Sequence, residues 1–356
     1  MAITELNKSQ SRNEAQGEQQ QLSEECQELL NTLPKERGWR TQHLYLFQGF
    51  WCQPKEIQAI MSVQRNFIAQ DSDVVLATIP KSGTTWLKAI AFTIMNRKNI
   101  PVKNDHHPLL TSNPHELVPF LEYKLYADNC IPDFSTIPCP RLLATHMPFS
   151  ALPQSVKESG CRVVYLARNP FDTFVSIWHF MEKLRPESFG CLSFEEAFDM
   201  YCRGVVGYGP YWDHLLGYWN QSLERTQKVL FLKYEEMKED TNSQLKKLAE
   251  FLGLPFSIEE EKGGVVDEIS RLCSFQTLKD MEVNKNGKGA IFADSENKDL
   301  FRKGQVGDWI NHMTPSMVDQ LRNIMDKKLS GSNLSFQLLQ AQRQKVFECA
   351  CDIGSL

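Results

Sequence analysis

A chain of 356 residues with 42% hydrophobic and 23% charged side chains is long enough to bury a large core, which excludes a fibre or a mostly disordered protein. The formal net charge of -5 excludes a general pull toward nucleic acid or an anionic membrane, so any anion site must be a local cluster of cations and backbone amides. Ten scattered cysteines form no C-x-x-C pair and no metal-ligand spacing, which fits a reduced cytosolic compartment.

Residues 1–25 are rich in Gln, Glu, Asn and Ser with few apolar anchors, so a disordered N-terminal tail is expected there. They show neither the basic-then-apolar order of a signal peptide nor the Arg-rich, acid-poor make-up of a transit peptide. No stretch approaches the roughly 18 apolar residues that span a bilayer, and a cytoplasmic location is expected. Without an internal repeat or long linker, residues 26–345 read as one α/β domain, followed by a short tail over 346–356.

Val74 to Ile79 is a β-branched, apolar run of the kind buried in a parallel sheet, followed by the loop Pro80 to Thr85 and a helical stretch from Trp86 to Phe92. The same strand, loop and helix order returns at Arg162 to Leu166, where Asn169 suits a cap, Pro170 suits the first helical position, and Phe171 to Phe180 continues as helix. A third strand runs from Val229 to Leu232. After it, Thr241 or Asn242 can cap a helix with Leu245, Leu248, Ala249 and Leu252 on one face and Gly253 past its end. Such alternation predicts a three-layer α/β/α domain around a mainly parallel sheet.

Parallel sheets bind ligands beyond the carboxyl ends of their strands, where a helix start offers free N–H groups and a positive dipole end. Pro80 to Thr85 has the parts of a phosphate cradle: Gly83 admits close backbone approach, Thr84 and Thr85 add hydroxyls, and Lys81 adds a cation. Lys81 precedes Gly83, and G-x-x-x-x-G-K-[ST] occurs nowhere in the chain, which disfavours a kinase or ATPase. By itself the segment is equally a turn and a helix cap.

Thr78-Ile79-Pro80-Lys81-Ser82-Gly83-Thr84-Thr85-Trp86-Leu87 closely resembles the 5′-phosphosulfate loop of the cytosolic sulfotransferases. Val163 to Ser176, with Arg168-Asn169-Pro170, is similar to that family's 3′-phosphate segment, and Arg302-Lys303-Gly304-Gln305-Val306-Gly307-Asp308-Trp309 to its C-terminal loop. The similarity covers roughly Leu29 to Phe336 and is strongest to the plant branch.

The resemblance implies a P-loop-like site for 3′-phosphoadenosine 5′-phosphosulfate (PAPS). Lys81, Ser82, Gly83, Thr84 and Thr85 would hold the 5′ end, and Arg168, Ser176, Arg302, Lys303 and Gly304 the 3′-phosphate. A guanidinium at a strand end can grip phosphate in bidentate fashion, and in the family the Ser176 counterpart also restrains the Lys81 counterpart. Trp86, Tyr234, Ser274 and Phe275 match the positions around the adenine. Arg141 to Pro148 resembles the strand-end T-H-x-P segment, which makes His146 the base, a role suited to an imidazole titrating near neutrality. His43, His106, His107, His115, His179, His214 and His312 are read as structural.

Two positions depart from the family. Ala144 stands where animal members usually carry a lysine, as it commonly does in the plant branch. The dimer motif K-x-x-x-T-V-x-x-x-E falls on Ile310, Thr314, Pro315 and Asp319, so its Lys and Val are lost and a monomer is expected. The expected activity is metal-independent sulfuryl transfer from PAPS to a small hydroxyl acceptor, with no nucleic-acid or membrane partner. The segments Leu33 to Arg40 and Ser112 to Phe120 resemble the hydroxyjasmonate branch, and flavonol sulfotransferases share much of the second. The leading acceptor is 12-hydroxyjasmonate, with flavonoids or other phenolics next. A non-catalytic adenosine-bisphosphate-binding module is the reading from another class.

Overall fold

The computed structural model describes residues 22–127, 131–292 and 295–336. Strands β1 (Lys35–Arg37), β2 (His43–Phe47) and β3 (Phe50–Cys52) form an antiparallel ribbon that the sequence reading did not separate. Strands β4 (Val74–Ala77), β5 (Leu142–Thr145), β6 (Arg162–Ala167) and β7 (Val229–Lys233) form a parallel sheet in the order β5-β4-β6-β7. Helices α1 (Glu24–Thr32) and α2 (Pro54–Asn66) precede the sheet, and α3 (Thr84–Asn96) follows β4. Further along, α4 (Pro170–Leu184) follows β6, α5 (Tyr211–Glu224) leads into β7, and α6 (Thr241–Phe251) and α7 (Pro315–Leu329) come after it.

Side chains alternate across each strand, so the apolar runs feed two separate cores. Val74, Leu76, Val164 and Leu166 pack with Leu87 and Ile90 of α3 and Leu245 and Leu248 of α6. Val75, Val163 and Tyr165 face the other way, onto Phe171 and Phe174 of α4 and Tyr218 of α5. The result is the expected three-layer α/β/α arrangement. From β4 the chain passes to β5 on one side, then returns to β6 on the other. This reversal opens a crevice at the carboxyl ends of β4 and β6, the position where open parallel sheets bind ligands.

Three boundaries differ from expectation. Strand β4 stops at Ala77, because Thr78 and Ile79 already bend toward the loop, with Ser82 N–H donating to the Ile79 carbonyl at 3.3 Å. The cap of α6 is Asp240, whose Oδ1 accepts from Ser243 N–H at 3.1 Å, rather than Thr241 or Asn242. Helix α1 starts at Glu24 behind a Ser23 cap, and Leu22 and Cys26 are buried, so a tail boundary at residue 25 falls inside ordered helix. The remainder of that tail and the segment 346–356 lie outside the described residues. No helix among the described residues is long and apolar enough to cross a membrane.

Candidate active site

The loop after β4 turns by two left-handed residues, Lys81 at φ +67° and Gly83 at φ +105°. A Cβ at Gly83 would meet the Tyr234 ring at 2.8 Å and Leu166 at 3.1 Å, so the close approach requires glycine. Lys81 is held there as a side-chain-bearing residue, a strained conformation of the kind that gathers at functional sites. The first turn of α3 therefore opens toward the crevice with its leading N–H groups unspent by the helix.

Every predicted site residue except Ser82 lines one cleft of about 1270 Å³, open mouth included. Ser82 is completely buried beneath the loop, and its Oγ has no hydrogen-bond partner among the described residues. Of the residues expected at the site, it is the one absent from the cleft lining.

On the cationic wall of the cleft, Arg168 leaves the end of β6 and lies with its guanidinium carbon 4.6 Å from the centre of the Tyr234 ring. One of its nitrogens donates to the Gln305 carbonyl at 2.8 Å, tying β6 to the loop at 302–309, while its buried Nε has no partner among the described residues. Asp172, the third residue of α4, accepts from Gly307 N–H at 2.8 Å and Trp309 N–H at 3.1 Å and so docks that loop. Burial opposes charge on Asp308, yet hydrogen bonds from Lys303 and Arg302 hold its carboxyl well below the usual range. The Gly304 backbone lies against Phe275, where a Cβ would come within 2.3 Å of the ring. Ser274 caps the helix Phe275–Asp280, accepting from Thr277 N–H at 3.2 Å. Trp86 and Tyr234 meet edge to face at 5.4 Å.

Lys81 places its Nζ 3.8 Å from the centre of the Phe180 ring, and no hydrogen bond joins it to Ser176 among the described residues. Burial, then the charges of Arg302 and Arg168, lowers the Lys81 amine to about 7. Opposite it, His146 lies just past β5 with Nδ1 2.7 Å from the Thr78 carbonyl oxygen. A carbonyl only accepts, so Nδ1 carries the proton and Nε2 keeps its lone pair. Burial lowers the imidazole to about 3, so the ring is neutral across the physiological range. Glu122 Oε1 accepts His146 N–H at 2.5 Å, and His214 Nε2 donates to the His146 carbonyl at 2.8 Å, which fixes the residue from both backbone sides.

His214 thus keeps its structural reading. His115 does not: it lines the cleft and bonds Thr85 Oγ1 at 2.9 Å through Nε2. Tyr123 and Phe292 also line the cleft and were missed, because no local pattern marks an isolated aromatic in a loop. Among the described residues no group of three or more His, Cys, Asp or Glu side chains is placed to hold a metal ion.

A doubly covered parallel sheet with a glycine-bearing loop and a helix start at its switch point, and an imidazole across the cleft, has the layout in which open α/β sheets hold ligands. Residues 71–333 match the sulfotransferase domain family. Cytosolic sulfotransferase 15 of Arabidopsis thaliana is 57% identical over 323 residues, covering 90% of this chain and 89% of that one. Cytosolic sulfotransferase 14 of the same plant is also 57% identical, over 325 residues, covering 90% and 93%. The crystal structure of an Arabidopsis thaliana putative steroid sulphotransferase superposes with a TM-score of 0.69 at 42% identity, covering 87% of this chain and 94% of that one. A mouse sulfotransferase complexed with PAP gives 0.64 at 28% identity, covering 82% and 96%. This chain belongs to the cytosolic sulfotransferase family and is a sulfotransferase.

Proposed function

We propose that the enzyme transfers the sulfuryl group of PAPS to a hydroxyl of a small molecule, as a cytoplasmic monomer and without a metal ion. The observation that carries this reading is His146, neutral, with its one proton committed to Thr78 and its other nitrogen free on a cleft-lining residue. The cleft also fits the donor. The buried Nε atoms of Arg168 and Arg302 are unspent donors, and the glycines at 83 and 304 clear space that any side chain would fill. The mouse relative in complex with PAP supports the same nucleotide.

PAPS supplies an activated sulfuryl group, and transfer leaves a sulfate ester and 3′,5′-adenosine bisphosphate (PAP). His146 Nε2 takes the hydroxyl proton as the acceptor oxygen bonds to sulfur. Lys81 and the first amides of α3 stabilise charge on the leaving phosphate. Arg168, Ser176, Arg302, Lys303 and Gly304 bind the 3′-phosphate, and Trp86, Tyr234 and Phe275 enclose the base.

For the acceptor we favour a hydroxy acid such as 12-hydroxyjasmonate. Arg40 lies 4.1 Å from the centre of the Phe292 ring, 3.9 Å from Glu56, with its buried Nε unpartnered among the described residues, so it has a donor to spare for a carboxylate. A flavonoid or simpler phenolic is the second reading, supported by the cleft-lining rings of Phe292 and Tyr123 near His146. The deciding test is kcat/KM for 12-hydroxyjasmonate beside a flavonol and a simple phenolic at one PAPS concentration. Preference for either phenolic by more than about tenfold, roughly 1.4 kcal/mol, overturns the hydroxy-acid reading and leaves sulfuryl transfer standing.

A further inference from the structure

Lys88 sits one turn into α3, directly behind the threonines of the loop, and its side chain is completely buried. Among the described residues no carboxylate lies within ion-pair distance of it, and Glu122 acts on it only through the field of its charge. Its Nζ lies 3.0 Å from His115 Nδ1 and 3.3 Å from the centre of the Phe120 ring. Its helical neighbours Leu87, Ala89, Ile90 and Ala91 are all apolar and buried. At such a position a leucine or methionine would pack at lower cost, because a buried amine without a direct ion pair is penalised by desolvation. The lysine is therefore kept for what it touches.

Donor and acceptor counting gives that contact a direction. Burial pushes the Lys88 amine well below its usual range, and in either charge state it carries N–H donors; with Lys88 donating, His115 Nδ1 accepts and the ring proton sits on Nε2. Nε2–H then donates to Thr85 Oγ1 at 2.9 Å. With a lone pair so engaged, the Thr85 hydroxyl hydrogen is left for the cleft that Thr85 lines. The His115 ring is held in register by stacking on Phe120 at 5.4 Å and 16°, and its backbone N–H donates to Asn113 Oδ1 at 2.9 Å. An anion against Thr85 favours this polarity over the reverse one, since the reverse would turn an oxygen lone pair toward it. Across the sheet edge, Phe120 bridges to Ala144, a strand position that brings no charge of its own.

We propose that Lys88 and His115 are positioning residues that aim the Thr85 hydroxyl hydrogen at the oxygens of the transferring sulfuryl group. The idea rests on the reading of the cleft as the PAPS site. It predicts an effect on transfer and little effect on nucleotide affinity measured with PAP, which lacks the sulfuryl group. The test compares wild type, Lys88→Met, Thr85→Val and the double variant for kcat, KM for PAPS, PAP dissociation constant and melting temperature. Met preserves the bulk of the side chain and removes the donor. Lys88→Met should lower kcat about tenfold or more while PAP affinity and melting temperature hold. In the Thr85→Val background the same change should cost nothing further, because the chain is already cut. His115→Gln provides a second break in the chain, with the same pattern expected if Lys88→Met does not fold. A kcat for Lys88→Met within twofold of wild type, or losses that multiply in the double variant, would overturn the relay. Failure of wild type to use PAPS would instead bring down the reading of the site itself.

Discussion

The two walls of the cleft are made in different ways. The wall proposed to bind the anion comes from contiguous runs: Pro80 to Trp86 leads one strand into one helix, and Arg168 to Asp172 repeats that transition on the next strand. The wall proposed for the acceptor is assembled from single residues far apart in the chain, among them Tyr123, His146 and Phe292. Binding phosphate is a property of backbone N–H groups at a strand-to-helix turn, so its requirements fall on neighbouring residues. Shaping a pocket for a small organic molecule depends on which loops meet, so its requirements are scattered.

If that division is right, substitutions on the acceptor wall should disturb turnover, and those on the 3′-phosphate side of the other wall, around Arg168, should disturb nucleotide affinity. The largest effect belongs to His146→Ala, expected to lower kcat by about 10² to 10⁴ while PAP affinity measured by calorimetry changes by less than about twofold. A parallel loss of PAP affinity would merge the two walls into one. Arg168→Ala should weaken PAP binding by about tenfold to a hundredfold, the worth of one or two charge-assisted hydrogen bonds. Unchanged affinity would remove Arg168 from the anion wall.

Titration sharpens the comparison. His146 is neutral above about 3, whereas Lys81 deprotonates near 7 in the free enzyme, in both cases chiefly because of burial. The profile of kcat/KM for PAPS should therefore show no acid limb near pH 6.5 and should decline as pH rises through about 7, where Lys81 loses its charge. An acid limb near 6.5 would mean that His146 titrates as an ordinary histidine. The smallest effect is expected from the N-terminus: removing residues 1–21 should leave the melting temperature within about 2 °C. Removal through Thr32, which deletes the buried Leu22 and Cys26, should lower it clearly.

The sheet, its cradle and its two cores were legible in the sequence because β-branched strands, a capped helix and a glycine-bearing loop are local patterns. The same holds for Asn169, whose Oδ1 accepts from Asp172 N–H at 2.8 Å as the cap of α4. Asp172 itself was not legible, since its importance lies in bonds to Gly307 and Trp309 more than a hundred residues away. Asp240 displaced Thr241 as a cap because both are suitable residue types and only geometry chooses. His115 and Lys88 escaped for a related reason. A buried amine looks like any exposed helical lysine until the opposite element is packed against it.

The most direct test of the account is a single assay of the purified full-length chain with radiolabelled PAPS, a panel of hydroxyl acceptors and excess chelator. We expect labelled sulfate ester and PAP to appear in equal amounts, with no dependence on added divalent metal. Tight PAP binding without any transfer, or transfer only when a metal ion is restored, would contradict it.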